Sequence, residues 1–276
     1  MKQKSLCILG LFWTITAIGS GCTPEKSAPH PDQASEAVSR PEPRGGKALA
    51  NQGKKSPDIK VKPLTGKAYV IEDFGSPPAG SAAEAVKSLE ASAKNGDSNA
   101  SYSIYLKVRE CLTIINSSKS SNLPSDAEAF EQCKDLPTDY YATAGDWLQL
   151  AAEQGSVPAQ LLYASDPAAV VGDPSNMLRD PVAVQRYKDK ALTYLNQAVD
   201  SGSVDAVLRL ANTYKNGILV KQDAGTSYAY YEAARMASPA TVPTRTMEDL
   251  AQGLSSREMA NSAQKGREIY ERCCKQ

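Results

Sequence analysis

Histidine is almost absent from this chain: His30 is the only one in 276 residues. From Gly80 onward there is therefore no Ser-His-Asp or Cys-His arrangement and no histidine metal site. Neither common type of Gly-rich phosphate loop is present, and no cofactor is expected. Net charge is also missing, since 31 Lys and Arg balance 31 Asp and Glu. That argues against nucleic acid as a main ligand, because phosphate binding needs a basic surface. Aromatics are few, and 13 of them are Tyr against 3 Phe and 2 Trp. The N-terminal apolar stretch Leu6–Ile18 is short of the ~20 residues a membrane-spanning helix needs.

That stretch has another use. Lys2 and Lys4 precede it, and Gly19-Ser20-Gly21 follow it. A charged start, an apolar middle and small residues at the end make a secretory signal. Gly19-Ser20-Gly21-Cys22 resembles the bacterial lipobox, with Ile18 one place before the position where that motif prefers Leu, Val or Ile. The resemblance implies cleavage before Cys22 and lipidation of its thiol, with palmitate among the acyl chains. Two or more chains give stable anchoring, at ~0.8 kcal/mol per buried CH₂. Thr23 in place of Asp implies, by the same resemblance, sorting to the outer membrane, facing the periplasm.

Cys7 leaves with the signal, so Cys111, Cys133, Cys273 and Cys274 remain as thiols. An even count in an oxidising compartment points to disulfides, with three connectivities open to four cysteines. Cys111–Cys133 is the favoured pair, because each lies near the end of a predicted helix with a polar loop between. Adjacent Cys273 and Cys274 would need an eight-membered ring, or else partners on another chain. Two adjacent thiols with no nearby histidine make a poor metal site.

The signal is assigned to residues 1–21, a lipidated disordered tether to 22–79, and a helical domain to 80–276. The tether is rich in Pro, Ser, Gly and charge, and cannot bury enough apolar surface to offset its ordering entropy. Its middle is basic, with Arg40, Arg44, Lys47, Lys54, Lys55, Lys60, Lys62 and Lys67 against Glu42 and Asp58. Such an arm is either a plain spacer or a weak contact to anionic headgroups or cell-wall polymers. Ala68-Tyr69-Val70-Ile71 is an apolar patch within it, either packed on the domain as an extended segment or free as a docking motif.

Internal repeats organise the rest. Leu89…Gly96…Ala100, Leu148…Gly155…Ala159 and Leu195…Gly202…Ala206 share one spacing, followed in phase by Ile104, Tyr163 and Leu210. Leu and small residues form one helix stripe. Gly ends that helix in a left-handed conformation, and Asp or Ser at once caps the next. The unit is an antiparallel helical hairpin. A fourth, degenerate copy has Ala237 where the Gly would be. These residues, with Tyr214, Gly217, Val220, Asp223, Tyr230-Tyr231 and Ala233-Ala234, resemble the Sel-like repeat, a relative of the tetratricopeptide repeat. The resemblance implies an all-α fold of stacked antiparallel helical hairpins, a Sel-like/TPR-like α-solenoid. Two long gaps, at 116–138 and 164–181, depart from the family period. Ser255 and Glu258 fit a capping box at the start of a closing helix.

Chemistry is harder to find. Ser262-Ala-Gln-Lys265 matches the S-x-x-K nucleophile motif, but its S-D-N and K-T-G companions are missing. Carboxylates such as Glu128, Glu131, Asp139 and Asp146 have no spacing that favours glycoside hydrolysis. Tyr214 and Tyr231 read as core. Tyr228 and Tyr230 are open between core packing and contact with a partner, since Tyr is common at interfaces. The resemblance implies protein binding by a tethered envelope scaffold or adaptor, not an enzyme, with other envelope proteins as partners. The alternative is a cell-wall-related hydrolase or a β-lactam-binding protein on the same scaffold.

Overall fold

The computed structural model describes residues 57–120 and 127–275, without side chains at 118–120. The signal segment, Cys22 and His30 lie outside the described residues, as does the tether up to residue 56. In chain order the elements are β1 (Lys60–Pro63), β2 (Tyr69–Asp73), α1 (Ala82–Lys94), α2 (Ser98–Ser120), α3 (Ala127–Cys133), α4 (Thr138–Ala142), α5 (Ala144–Glu153), α6 (Val157–Ser165), α7 (Pro167–Val171), α8 (Pro174–Arg179), α9 (Pro181–Asp200), α10 (Val204–Asn216), α11 (Ala224–Ala237), α12 (Thr244–Gln252) and α13 (Ser256–Cys273).

The long helices pack in series, α1 on α2, α2 on α5, α5 on α6, α6 on α9, α9 on α10, α10 on α11 and α11 on α13. This is the stacked antiparallel hairpin architecture of an α-solenoid, in which each unit leans on its neighbours. Among the described residues no helix is long and apolar enough to cross a membrane.

One turn is built three times. Gly96, Gly155 and Gly202 have φ of +95°, +91° and +100°. The amides that follow them, Asp97, Ser156 and Ser203, donate to the carbonyls of Ser92, Ala151 and Ala198. That is a Schellman closure, which satisfies carbonyls the helix would otherwise leave unpaired. Asp97 Oδ1 then accepts from Asn99 N and Ala100 N, and Ser203 Oγ from Ala206 N, to start the next helix. Leu148 and Leu195 of the first helices are fully buried, each worth ~1.5–3 kcal/mol. Ala100, Ala159 and Ala206 are buried at the starts of the second helices, where a larger side chain would hold the pair apart.

Polar ties join successive units. Ser101 Oγ donates to Gln154 Oε1 at 2.6 Å, and Gln154 Nε2 donates to Ala93 O at 2.7 Å. One unit later, Gln160 Nε2 donates to Ala152 O and to Gln197 Oε1. Ser101 and Gln160 occupy the same position, five residues after the turn glycine. Each brings a polar group into the interface and finds its partners there, as buried polar groups must.

The gaps in the repeat are filled by short helices. In the first, Cys111 of α2 is disulfide-bonded to Cys133 of α3. Buried Lys107 adds to this clasp, with Glu110 Oε2 at 2.8 Å and Gln132 Oε1 at 3.5 Å. In the second, α7, α8 and α9 each begin with Asp-Pro. Asp166, Asp173 and Asp180 accept from the amides of Ala169, Asn176 and Ala183. Proline at the first helical position loses no hydrogen bond.

At the fourth copy Ala237 does not reverse the chain. Helix α11 ends at Ala237, a 3₁₀ turn (Pro239–Thr241) and α12 intervene, and only then does α13 return along α11. Ser255 and Glu258 form the capping box at the start of α13. Gly266 lets α13 approach closely, because a Cβ there would lie 2.8 Å from Ala229 O.

Residues 57–79 depart from the expected disordered tether. β1 and β2 form an antiparallel hairpin, Val61 opposite Ile71 and Pro63 opposite Tyr69. Ala68 and Ile71 are buried. Ile59, Leu64, Tyr69, Val70 and Phe74 pack partly buried against the same core, so Ala68–Ile71 is the extended segment packed on the domain, and backbone hydrogen bonds fix it there. Tyr69 N donates to Gly202 O at 3.0 Å and Lys67 N to Cys274 O at 3.0 Å. Ile71 N donates to Asp205 Oδ2 at 2.7 Å, and Tyr102 Oη to Phe74 O at 2.8 Å.

Candidate functional site

Helices α6, α7, α9 and α10 and the loop after α10 enclose a groove of about 400 Å³. Its walls are largely apolar, with Val171, Met177, Val184, Leu195 and Leu219 among them. Gly217, left-handed at φ +68°, stops α10 and turns the chain back. The turn buries Leu219 and leaves Ile218 60% exposed on the rim. Leu178 of α8 is 86% exposed, next in sequence to the lining residue Met177. Large apolar side chains left in water beside a groove mark an interaction surface more often than scattered ones do.

Polar groups in the groove are few and held in place. The Arg209 guanidinium donates to Ser165 Oγ. Burial works against its charge, and the Asp205 carboxylate one turn earlier opposes that effect. Asn212 Oδ1 accepts from Tyr231 Oη at 2.7 Å, and its Nδ2 donates to Leu208 O. Lys188 stands on the α9 side. The arrangement suits an apolar segment that carries a carboxylate or backbone carbonyl toward Arg209 and Asn212.

Behind this groove the tyrosines pack together. Tyr163 stacks on Tyr187 at 5.4 Å and meets Tyr194 edge-on at 5.0 Å. Tyr187 Oη donates to Tyr163 O. Burial, with the nearby Glu153 charge, pushes the Tyr163 hydroxyl up to about 12, so it stays protonated. Aromatic pairs at these distances add about 0.5–1.5 kcal/mol beyond area burial.

The residues singled out from the sequence fall in different places. Tyr230, left open as a partner contact, is 7% exposed and stacked on Tyr214 at 5.7 Å. It is a packing residue, and the partner-contact reading is corrected. Tyr228 is half-buried. Cys111 and Cys133 fasten α3 to α2, away from the groove. Cys273 and Cys274 are joined to each other and buried at the end of α13, so they are not presented to another chain. Ser262 is 7% exposed against Gly225, and Lys265 Nζ is turned to Thr226 Oγ1 at 3.1 Å. Glu131 pairs with Lys134. Among the described residues no cluster of three His, Cys, Asp or Glu is placed to hold a metal ion.

The groove residues were not found from the sequence. The signal that could have found them is the Asp-Pro step repeated at Asp166, Asp173 and Asp180, which starts three helices in what reads otherwise as an insertion.

No family model matches this chain, and no curated protein does. Among solved structures it is similar to a protective antigen present in uropathogenic Escherichia coli strains, described as displaying an SLR fold, with a TM-score of 0.40 and 15% identity. The match covers 68% of this chain and 41% of that one, so this chain spans about two fifths of that protein's length.

Proposed function

We propose that this protein is a lipid-anchored scaffold of the bacterial envelope that holds a segment of another envelope protein in the groove between α7, α9 and α10. The observation that carries the reading is the apolar groove with Ile218 exposed on its rim and Arg209 and Asn212 fixed inside it. The Sel-like residue pattern around the turn glycines supports a binding role, because stacked hairpins offer curved surfaces. The lipobox-like Gly19–Cys22 supports export and anchoring at the outer membrane, with residues 23–56 as the spacer. The hydrolase reading gains no support, since buried Ser262 and the Thr226-bound Lys265 leave the S-x-x-K spacing as part of a packed helix.

The test has two arms. Metabolic labelling with a palmitate analogue is expected to mark the wild-type chain and not Cys22→Ser, which should leave the membrane fraction. A photo-crosslinking residue at position 218 is expected to capture one discrete envelope protein, and Met177→Asp to reduce that adduct. Labelling that persists in Cys22→Ser overturns the anchor. Absence of any adduct above that from an exposed control position on α13 overturns the groove.

A further inference from the structure

The groove between α7, α9 and α10 carries charge of one sign. Arg209 and Lys188 line it, and no aspartate or glutamate does. Among the described residues neither cation has a carboxylate within ion-pair distance. The nearest acids in sequence are engaged elsewhere. Asp205 Oδ2 accepts from Ile71 N at 2.7 Å, and Asp189 Oδ1 from Gln185 Nε2 at 2.9 Å.

Arg209 is half-buried and held in place. Its guanidinium donates to Ser165 Oγ, and Ser165 Oγ donates to Leu161 O at 2.8 Å. This chain ties α10 to the end of α6, and both Arg209 and Ser165 stand in the groove wall. A guanidinium has several donors in one plane, and a neutral hydroxyl engages only part of that fork. Thr213 lies one turn further along the same face of α10. It is 6% exposed and lines the groove, and its hydroxyl makes no hydrogen bond among the described residues. Apolar lining follows on both sides of the Arg209–Ser165 contact, with Pro167 and Val171 after Ser165, and Ile218 and Leu219 after Arg209. The positive point therefore lies within apolar surface and not at its margin. A carboxylate that meets it with apolar neighbours on either side is a side chain inside a segment, not a chain end.

We infer that the segment held in the groove is apolar with one glutamate or aspartate at its centre, whose carboxylate is bound by Arg209 while its neighbours pack on Val171 and Leu219. This inference rests on the groove reading and names the chemistry of its occupant. Arginine and carboxylate match in geometry as well as charge, and the pair gains strength where water is partly excluded. Lys188 adds potential of the same sign, so a segment with lysine or arginine at that place is rejected.

The experiment is calorimetric titration of the full chain with the blocked peptide acetyl-Ala-Leu-Glu-Leu-Ala-amide, its Gln and Lys analogues, and the Gln peptide with a free C-terminal carboxylate. The Glu peptide is expected to give saturable heat, with the Gln analogue at least about tenfold weaker and the Lys analogue weaker still. In Arg209→Gln the Glu and Gln peptides should bind within about twofold of each other. That ratio is insensitive to a general loss of packing. Lys188→Gln, at a half-buried position on α9, should lower the preference by less. Four results overturn the inference: no saturable heat with the Glu peptide, equal binding of Glu and Gln peptides, tighter binding of the free-carboxylate peptide than of the Glu peptide, or a preference for Glu unchanged in Arg209→Gln. An adduct from position 218 together with equal binding of Glu and Gln peptides leaves the groove reading standing and removes only this one. A clear preference for Glu with no such adduct does the reverse.

Discussion

The carbonyl oxygen of Lys67 lies 2.3 Å from where a Cβ on Gly202 would stand. At Gly155, the same position one unit earlier, the corresponding space is empty. Both glycines have positive φ, so alanine at either is strained by ~1–2 kcal/mol. Gly202→Ala must also push the β-hairpin off the turn. Urea denaturation is expected to show a distinctly larger loss for Gly202→Ala than for Gly155→Ala, with faster amide exchange over residues 60–73. Equal losses would mean the hairpin does not bear on this turn.

The clasp between α2 and α3 closes a 22-residue separation through Cys111 and Cys133. In the chain-entropy view a loop of this size contributes ~3 kcal/mol. The double variant Cys111→Ala/Cys133→Ala should lower the denaturation midpoint by that order. Reductant should change the wild type more than the double variant, and a wild-type midpoint indifferent to reductant would contradict the linkage.

Tyr230 and Tyr228 lie two residues apart on α11 and should respond differently. Tyr230 is buried on Tyr214, so Tyr230→Ala is expected to cost ~3–5 kcal/mol, as large aromatic truncations in cores do. Half-buried Tyr228→Ala should cost much less. Thermal melts of the two variants, measured together, decide between packing and surface roles.

Asp223 caps α11, with Thr226 N at 2.9 Å and Thr226 Oγ1 at 2.7 Å from its carboxylate oxygens. These hydrogen bonds hold its carboxyl below the usual value, with Lys265 acting in the same direction. A depressed carboxyl contributes stability that is present above its unfolded value and lost as pH falls through the folded one. The stability gap between wild type and Asp223→Asn is therefore expected at pH ~7 and should close below pH ~4. A gap independent of pH would mean the charge contributes nothing to the cap.

The helical units were legible in the sequence because their rules are local. A left-handed glycine and a small residue four positions on are written within one short segment at Gly96, Gly155 and Gly202 alike, and the expected cap follows at Asp97 and Ser203, whereas Ser156 makes no capping hydrogen bond. Half of the β-hairpin was legible, since the apolar run Ala68–Ile71 reads as an extended segment packed on the domain and leads into β2, but its partner was not, because nothing near Lys60–Pro63 announces it. Every residue of β1 is exposed, and β2 is held by Gly202 O and Asp205, which are more than 130 positions away. The groove was hidden for a related reason. Val171, Met177, Leu195 and Ile218 come from separate elements, and only the Asp-capped helices α7 and α8 bring them to one place.

The hairpin changes how the stack carries force. A solenoid whose units touch only their neighbours can peel apart from either end. Here the strap from Phe74 at α2 to Tyr69 at the α9–α10 turn, and on to Lys67 at the end of α13, ties the first unit to the third and the last. A pull on the chain at residue 57 enters through β1 and β2 and is shared with α10 and α13 before α1 feels it. Chain order and load order are thus different, and the N-terminal side of the domain is gripped by its C-terminal half.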